Sequence, residues 1–430
     1  MVRTAVLRAA LAAPALLLAA PAPALLLAAS APALLLAASA AGQPLPPVPE
    51  PAENPTTEAK RVLGKILFWD EQLSSDQTVA CGTCHRPSAG GADPRSGRHP
   101  GADGAFGSRD DTFGSPGVVR RAADGAPVDD ASFGALPQVG PRAAPSPYAA
   151  LWAEALFWDG RAGPSAVDPL SGETVITEGG ALEAQALEPL LNPTEMAHDG
   201  RAWDEVTDAL ETAAPLALAS DLPPDVAAAI AAKESYPALF DDAFGDPAVT
   251  PVRIAFALAA YQRTLVPDQS PWDIASAGGA PLPALAQMGD YWFRQQRCDA
   301  CHVPPLFTNN AFFSIGLRPA ALDAGRQGVT GEPDHAGDMK VPSLRNVTLR
   351  PRFMHTGEMT SLDEVLALYV EPRAQRDSLP GGGEYRLSQA GLARQQIRAF
   401  LETLTDPRVA NEEFPFDRPT LASERAVETR

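Results

Sequence analysis

The sequence predicts an all-α fold with two domains and long irregular loops, and three observations lead to it. Apolar residues recur with helical spacing in several segments, whereas no segment carries a strong strand pattern. The chain has 430 residues, more than one ordinary hydrophobic core accommodates, so two domains are expected. Its 44 prolines and 34 glycines interrupt helices and favour turns, which accounts for the irregular loops.

Four segments carry the helical pattern most clearly. Thr250, which precedes a proline, is a typical helix start, and residues 284–297 form a second predicted helix. Ser361 and Glu364 have the spacing of a capping box, and Ser388 is the predicted cap of the last helix. The apolar faces consist of Ile254, Leu258, Tyr261 and Leu265 in the first helix, Leu362, Val365, Leu366 and Tyr369 in the third, and Ile397, Phe400, Leu401 and Leu404 in the last.

The first 41 residues are predicted to be an export signal. A weakly basic start precedes a long Ala/Leu stretch that ends in small residues, so we expect cleavage near Ala40 or Ala41. The stretch repeats PALLLAA, and the prolines of this repeat argue against a permanent membrane span. Residues 42–60 follow as a Pro-rich leader, and residues 43–55 are expected to be loose.

The formal net charge of −19 limits the classes of partner. It argues against binding to nucleic acid and to an anionic membrane surface, because both would be repelled. A solvated acidic surface is the simple interpretation of the charge. A small basic redox protein would still be attracted to it.

The four cysteines lie in two copies of one pattern. CGTCH contains Cys81 and Cys84, and CDACH contains Cys298 and Cys301. A redox-active disulfide would not require the histidine that follows each pair. A zinc site built from both pairs would need an unusually long separation and would leave both histidines unused.

Covalent c-type haem explains every residue of the pattern. Two thiols attach the porphyrin, and the adjacent histidine binds iron, so His85 and His302 are the predicted iron ligands of two haems. Bacterial c-type haem is attached outside the cytoplasm, which agrees with the export signal and predicts a periplasmic protein. The group on the second face of each haem decides between catalysis and electron transfer.

Five segments, two of which contain the CxxCH motifs, occur in a characteristic order. Because of these segments, the sequence resembles the bacterial dihaem cytochrome c peroxidase family, which includes MauG-type enzymes. The segments are LGKILFWDEQLSSDQTVACGTCH, ALFWDGRA, QALEPLLNPTEM, CDACHVPPLFTNNAFFSIGL and VPSLRNVTLRPRFMHTGEMTSLDEVLALY. The resemblance covers the chain from about residue 63 to 404. It implies two cytochrome c-like haem domains. Their predicted bounds are 61–275, with a loop insertion at about 86–145, and 281–408, followed by a tail at 409–430.

The resemblance also implies roles for individual residues. The first haem would react with peroxide, and the second would receive or store electrons. Glu195 and Gln185 match the distal pocket of the first haem, where a carboxylate moves a proton between the peroxide oxygens and an amide orients the peroxide. Trp158 matches a tryptophan between the two haems that carries oxidising equivalents. A surface or helix-start carboxylate and a buried core aromatic are the simpler interpretations of Glu195 and Trp158.

Two departures from the family pattern change these expectations. Tyr369 aligns with the sixth ligand of the second haem, which is methionine in the peroxidases proper and tyrosine in MauG. A phenolate favours ferric iron, whereas a thioether from Met359 or Met354 would favour ferrous iron. The family's calcium site would use Ala143 in place of asparagine. Its two carbonyl donors fall at Arg350 and Arg352, so bound calcium is not favoured.

The remaining histidines and one acidic loop have weaker signals. His99 lies where some family members place a histidine that caps the first haem, so it is a candidate iron ligand. His355 matches a position near the second haem, for packing or for a propionate. His198 and His335 are expected at the surface. The segment from Asp103 to Asp111 has spaced carboxylates, but a solvated loop is the favoured interpretation over a calcium site.

The sequence therefore favours an exported dihaem peroxidase that reduces hydrogen peroxide with electrons from a small donor protein, a cytochrome c or a cupredoxin. One alternative is a MauG-type enzyme that uses peroxide to oxidise a protein or small-molecule substrate. The second is a dihaem electron-transfer protein without catalysis. The oligomeric state, a homodimer included, is left open.

Overall fold

Helices make up most of the regular structure in residues 44–369 and 391–428, which the computed structural model describes. The helices are α1 Glu58–Trp69, α2 Cys81–Cys84, α3 Ala181–Leu191, α4 Trp203–Thr212, α5 Pro224–Lys233, α6 Tyr236–Phe244, α7 Pro251–Gln262, α8 Pro271–Ser276, α9 Ala284–Gln295, α10 Gln327–Thr330, α11 Leu362–Leu368, α12 Gly391–Glu402, α13 Pro407–Ala410 and α14 Ala422–Glu428. Single 3₁₀ turns lie at Glu71–Leu73, Pro87–Ala89, Ala150–Trp152, Cys298–Ala300, Pro333–His335 and Val347–Leu349.

Short strands accompany the helices as four two-stranded antiparallel sheets. The strands are β1 Gly97–His99, β2 Thr112–Gly114, β3 Pro116–Val119, β4 Pro137–Val139, β5 Ala166–Val167, β6 Thr174–Ile176, β7 Phe312–Phe313 and β8 Met339–Lys340. The helical prediction is thus confirmed for the main elements, but it omitted these strands. Segment 86–145, predicted to be a loop, contains two of the sheets. Strands of two to four residues are too short to produce a recognisable alternating pattern.

The first hydrophobic core forms where α1 crosses α7. Thr57 caps α1, because its hydroxyl accepts a hydrogen bond from the Lys60 backbone N–H. Gly64 permits the crossing, since a Cβ atom there would lie 1.9 Å from the carbonyl oxygen of Ala257. The predicted start of α7 is confirmed, because Thr250 caps it.

The second core forms in the same way where α9 crosses α12. A Cβ atom at Gly289 would lie 2.0 Å from the carbonyl oxygen of Gln396, so only glycine allows this approach. Phe293 and Phe400 pack beside the crossing with ring centroids 5.2 Å apart. The predicted capping box before α11 is confirmed at Ser361, whereas the predicted cap at residue 388 lies outside the described residues.

The Pro-rich segment before α1 packs against the first core, which differs from the loose leader predicted for it. Asn54 is fully buried and donates a hydrogen bond of 2.8 Å to the Glu183 carboxylate. Lys60 donates to the Asn54 side-chain oxygen, and the Trp152 indole donates to the Pro46 carbonyl oxygen. The two contacts of Asn54 are buried and fix the segment, because breaking them would leave Glu183 short of a donor.

The segment after α12 returns to the first core. Val409, Phe416 and Leu421 are fully buried there. The fully buried ammonium group of Lys65 pairs with Asp417 at 2.8 Å. Residues 409–428 of the predicted tail therefore form a strap that leads from the second core to the first. All described residues belong to one compact unit. Among them, no helix is both long and apolar enough to cross a membrane.

Candidate active site

One cavity of about 960 Å³ receives both CxxCH motifs. Its volume is at the upper end of the range of about 300–1,000 Å³ that is usual for small-molecule sites. The predicted site residues that line it are Cys81, Cys84, His85, His99, Trp158, Gln185, Glu195, Cys298, Cys301, His302 and Tyr369. The fold thus places these residues on one cavity, whereas the candidate ligand Met359 does not line it.

The first motif forms one helical turn, and the packing of this turn requires the glycine within the motif. Cys81 and Cys84 begin and end α2, and the backbone N–H of His85 donates to the Cys81 carbonyl oxygen at 3.1 Å. A Cβ atom at Gly82 would lie 2.2 Å from the Trp69 ring, so the packing of the turn requires glycine at this position.

The two histidines have the same orientation and the same tautomer. Nδ1 of His85 lies 3.2 Å from the Gly91 carbonyl oxygen, and Nδ1 of His302 lies 3.1 Å from that of Pro342. A carbonyl oxygen can only accept, so each Nδ1 carries the proton and each Nε2 keeps a lone pair for a metal. Burial lowers the pKa of His85 and lowers the pKa of His302 to about 4, so both rings are neutral.

The residues around the cavity fit two c-type haems. No disulfide joins the four cysteines, and burial raises the pKa of Cys81 and of Cys298 to about 12, which keeps these thiols neutral. Each end of the cavity presents two thiols and one imidazole nitrogen with a free lone pair. This is the donor set that c-type haem attachment and axial ligation require.

Glu195 and Gln185 are held by α3 and the turn after it, and both line the cavity. Burial raises the pKa of Glu195. Asn192 ends α3, and its side-chain oxygen accepts from the Thr194 backbone N–H at 2.9 Å. Its amide nitrogen must therefore be the atom that faces Glu195, and it donates to the carboxylate at 3.0 Å. Gly117 of β3 packs against the backbone of the same turn.

Replacing Asn192 by aspartate is expected to shift the pH dependence of activity. The variant keeps an oxygen for Thr194 but puts a carboxylate where an N–H donor stood, which raises the pKa of Glu195 further. A higher pH is then needed to ionise Glu195. As the pH falls, the variant would therefore lose activity at a higher pH than the wild type does. The measurement is kcat/KM for peroxide against pH, with Asn192→Ala giving a smaller shift. An identical profile for all three proteins would show that Asn192 does not act on Glu195.

Trp158 lies where the two halves of the chain meet. It is buried, and its indole N–H donates to the Ala143 carbonyl oxygen at 2.8 Å. Its own carbonyl oxygen accepts from the Lys340 backbone N–H at 2.7 Å, and its ring centroid lies 6.1 Å from that of His355. Since both contacts come from the second half, they fix Trp158 on the wall of the cavity.

The candidate sixth ligands of the second haem differ in position. Tyr369 follows α11 directly, lines the cavity and packs against the second core. Met354 also lines the cavity and has a left-handed backbone, with φ of 65°. Met359 packs against the second core but is not on the cavity wall. Tyr369 and Met354 thus line the cavity and Met359 does not, and which of them would bind the second iron stays a prediction.

His99 has the opposite tautomer from the two motif histidines. Its Nδ1 accepts a hydrogen bond of 3.0 Å from the Gly101 backbone N–H, so the neutral ring carries its proton on Nε2. That nitrogen has no lone pair for iron in this arrangement. His99 lines the cavity, and its role as a capping ligand stays a prediction that this geometry does not favour.

Of the other histidines, His355 is buried, whereas His198 and His335, which were predicted at the surface, are half-buried. His355 is buried on the cavity wall, with Nε2 4.0 Å from Asp323, and burial lowers its pKa to about 4. His198 binds Glu205 at 2.8 Å, and His335 binds a threonine hydroxyl; neither lines the cavity.

Of the three predicted calcium positions, Ala143 has its carbonyl oxygen engaged within the chain, and the other two have their side chains engaged. The Ala143 carbonyl oxygen accepts from Trp158, and the guanidinium groups of Arg350 and Arg352 donate to carbonyl oxygens. In the acidic loop, Asp110 accepts from two backbone N–H groups and Asp111 from another. The described residues contain no cluster of three or more acidic, His or Cys side chains that could hold a metal ion. Occupancy by calcium stays untested.

Three cavity contacts were not predicted from the sequence. Asn192 holds Glu195, Arg350 enters the cavity, and Arg142 binds Asp159 and Asp323 with N–O distances of 2.6 Å. The NPTEM segment could have indicated the first contact, because Asn at a helix end commonly binds the backbone two residues on. No local signal indicates the other two.

The fold and the cavity define a class: a mostly helical protein that presents two CxxCH motifs to one shared site. The chain belongs to the di-haem cytochrome c peroxidase family, whose family model matches residues 58–280. Two haem cofactors follow from this membership.

Relatives of both kinds within the family are similar to the chain. The methylamine utilization protein MauG of Methylorubrum extorquens is 31% identical over 83% of this chain and 81% of its own length. The cytochrome c peroxidase Ccp of Escherichia coli is 28% identical over 76% of this chain and 56% of its own length. The crystal structure of a MauG-like protein associated with microbial copper homeostasis is 25% identical, with a TM-score of 0.59, over 87% of this chain and 96% of that chain.

Proposed function

We propose that the protein is an exported peroxidase that reduces hydrogen peroxide to water with electrons from a small donor protein. The observation that carries the proposal is the position of Glu195. It is a half-buried carboxylate, its pKa is raised by desolvation, and it lies on the wall of the cavity that also receives the first CxxCH motif. An electron carrier in which both haem irons have six ligands would not need a carboxylate for proton transfer.

The reaction needs protons as well as electrons, and the chain supplies a group to move them. One peroxide, two electrons and two protons give two waters, and the haem supplies one-electron redox chemistry at iron when bound. Glu195 accepts a proton from one peroxide oxygen and delivers it to the other, which leaves as water. Gln185 orients peroxide by hydrogen bonding, and an amide does not compete for the proton. Trp158 passes electrons from the second haem site to the first.

The remaining parts of the proposal concern attachment, organisation and location. Thioether bonds at the four motif cysteines attach the haems. Residues 61–275 form the peroxidatic domain and residues 281–408 the electron-transfer domain. Residues 1–41 direct export to the periplasm and are removed near Ala40 or Ala41. A cytochrome c or a cupredoxin donates the electrons.

Steady-state turnover separates this proposal from its rivals. Purified holoprotein is mixed with peroxide and reduced cytochrome c or cupredoxin, and donor oxidation is followed by absorbance. Two donor molecules oxidised per peroxide are expected. Peroxide consumption without donor oxidation would contradict the proposal. Two low-spin haems that do not react with peroxide would leave only electron transfer.

Replacing Trp158 by phenylalanine is expected to slow electron delivery while sparing the reaction with peroxide. Phenylalanine keeps the ring but is much harder to oxidise than an indole, and it cannot donate to Ala143. Stopped-flow absorbance after mixing with peroxide would show the second haem staying reduced for longer. Trp152→Phe is the matched control, because that indole only holds the Pro-rich segment. Equal rates in the two variants would remove Trp158 from the path.

Tyr369 favours a second candidate function, oxidation of a protein or small-molecule substrate by peroxide. It lines the cavity at the second motif, and a phenolate ligand would lower the potential of that haem. Such a haem stores oxidising equivalents better than it accepts electrons from a soluble donor. Donor oxidation at the expected ratio favours the peroxidase, whereas long-lived oxidised haems that decay only with an added organic substrate favour this candidate.

A further inference from the structure

Arg350 is a cation placed inside the haem cavity. It follows the 3₁₀ turn Val347–Leu349, lines the cavity and donates a hydrogen bond of 2.9 Å to the Ala144 carbonyl oxygen. Burial lowers its pKa to about 10. No carboxylate of the described residues pairs with it, which distinguishes it from Arg142 on the same wall.

The position of Arg350 links it to the first motif although it belongs to the second half of the chain. Val347 packs in the second core and Leu349 against the first, so the turn that carries Arg350 spans both. The Arg350 side chain packs on the loop after His85, since a Cβ atom at Gly90 would lie 3.1 Å from its Cγ.

A guanidinium in such a place needs an anion. One carbonyl oxygen uses one of its five N–H donors, and an unneutralised charge away from water is costly. A planar guanidinium fits a carboxylate through two parallel hydrogen bonds. Haem carries two propionate carboxylates, and the Arg350 charge lies close enough to His85 of the first motif to help lower the pKa of that histidine.

We propose that the Arg350 guanidinium binds a propionate of the haem attached at Cys81 and Cys84. The contact ties the turn between the two cores to the first haem. It also keeps a positive charge beside that haem, which favours the reduced iron and raises its midpoint potential. The inference rests on the two attached haems of the proposed function but not on peroxide chemistry.

The test compares the holoproteins Arg350→Gln, Arg350→Lys and Arg352→Gln. Arg352 is the matched control, because it lies two residues away but donates to Gly357 and stacks on Phe113 outside the cavity. Resonance Raman spectroscopy reports the propionate bending bands, and spectroelectrochemical titration reports the midpoint potential of the first haem.

Arg350→Gln should shift a propionate band and lower the potential. Arg350→Lys should shift the band but keep most of the potential, since it retains the charge without the paired hydrogen bonds. Arg352→Gln should match the wild type in both. If the Arg350→Gln variant does not fold with its haems attached, the propionate band of Arg350→Lys tests the proposal instead. Wild-type bands in either variant would overturn the proposal. Shifted bands in a protein that ignores peroxide would support it while removing the peroxidase function.

Discussion

Glu195→Gln is expected to lower kcat/KM for peroxide by about 10²–10⁴-fold, the usual contribution of a positioned general base. Glutamine keeps the size of the side chain and can still meet Asn192, but it cannot accept and return a proton. The thiols and imidazoles that would hold the haems are unchanged in this variant, so both haems should still be attached. The measurement is the rate of the first haem's reaction with peroxide in stopped-flow absorbance.

Glu188→Gln is the control for this experiment. Glu188 lies on the same helix, α3, and binds Arg161 at 2.9 Å on the protein surface. The proposed chemistry gives it no part in proton transfer, but its charge helps to raise the pKa of Glu195. Its variant should therefore react at the wild-type rate at a pH where Glu195 is ionised, with the pH dependence shifted towards lower pH. If Glu195→Gln also reacted at that rate, Glu195 would be a structural carboxylate, and proton transfer would need another group.

Glu183→Gln is expected to reduce the free energy of unfolding by about 3–5 kcal/mol, the cost of leaving one charge of a buried pair alone. The Glu183 side chain is 1% exposed, and its carboxylate lies 2.8 Å from the Arg263 guanidinium. It also accepts from Asn54, which fixes the Pro-rich segment. The variant thus leaves Arg263 without a counter-charge and loosens that segment. Urea unfolding followed by circular dichroism measures the change.

Glu188→Gln is also the control for this unfolding experiment, because it removes an ion pair from the same helix at an exposed position. Surface pairs contribute about 0–1 kcal/mol, so this variant should unfold close to the wild type. Equal losses in the two variants would mean that the Glu183 pair adds nothing beyond an ordinary surface contact. Loss of the segment's protection in hydrogen exchange should accompany the larger effect in Glu183→Gln.

The sequence predicted those parts of the fold that local chemistry determines. Thr250 and Ser361 cap their helices as expected, because a cap needs only a hydroxyl at a set distance from the next backbone N–H groups. The two CxxCH motifs were found because their chemistry is confined to five neighbouring residues. The short sheets of segment 86–145 were missed, because two or three backbone hydrogen bonds leave no pattern in side-chain polarity.

Contacts between segments that are far apart along the chain could not be predicted from the sequence. Lys65 binds Asp417, and Arg350 lies beside the loop after His85, yet neither pair is close along the chain. The strap formed by the predicted tail depends on such contacts. Glu195 and Trp158, which the resemblance singled out, both line the cavity, and their roles stay predictions. The tautomer of His99 could be inferred only from its hydrogen bond to Gly101.

The attachment of two haems is the claim on which the site, the mechanism and the role of Arg350 depend. It is tested most directly by the intact mass of the mature protein, purified from a bacterium that assembles c-type cytochromes. The account predicts the mass of the polypeptide plus two haems, retained under denaturing conditions. A colourless protein with the mass of the polypeptide alone would contradict it.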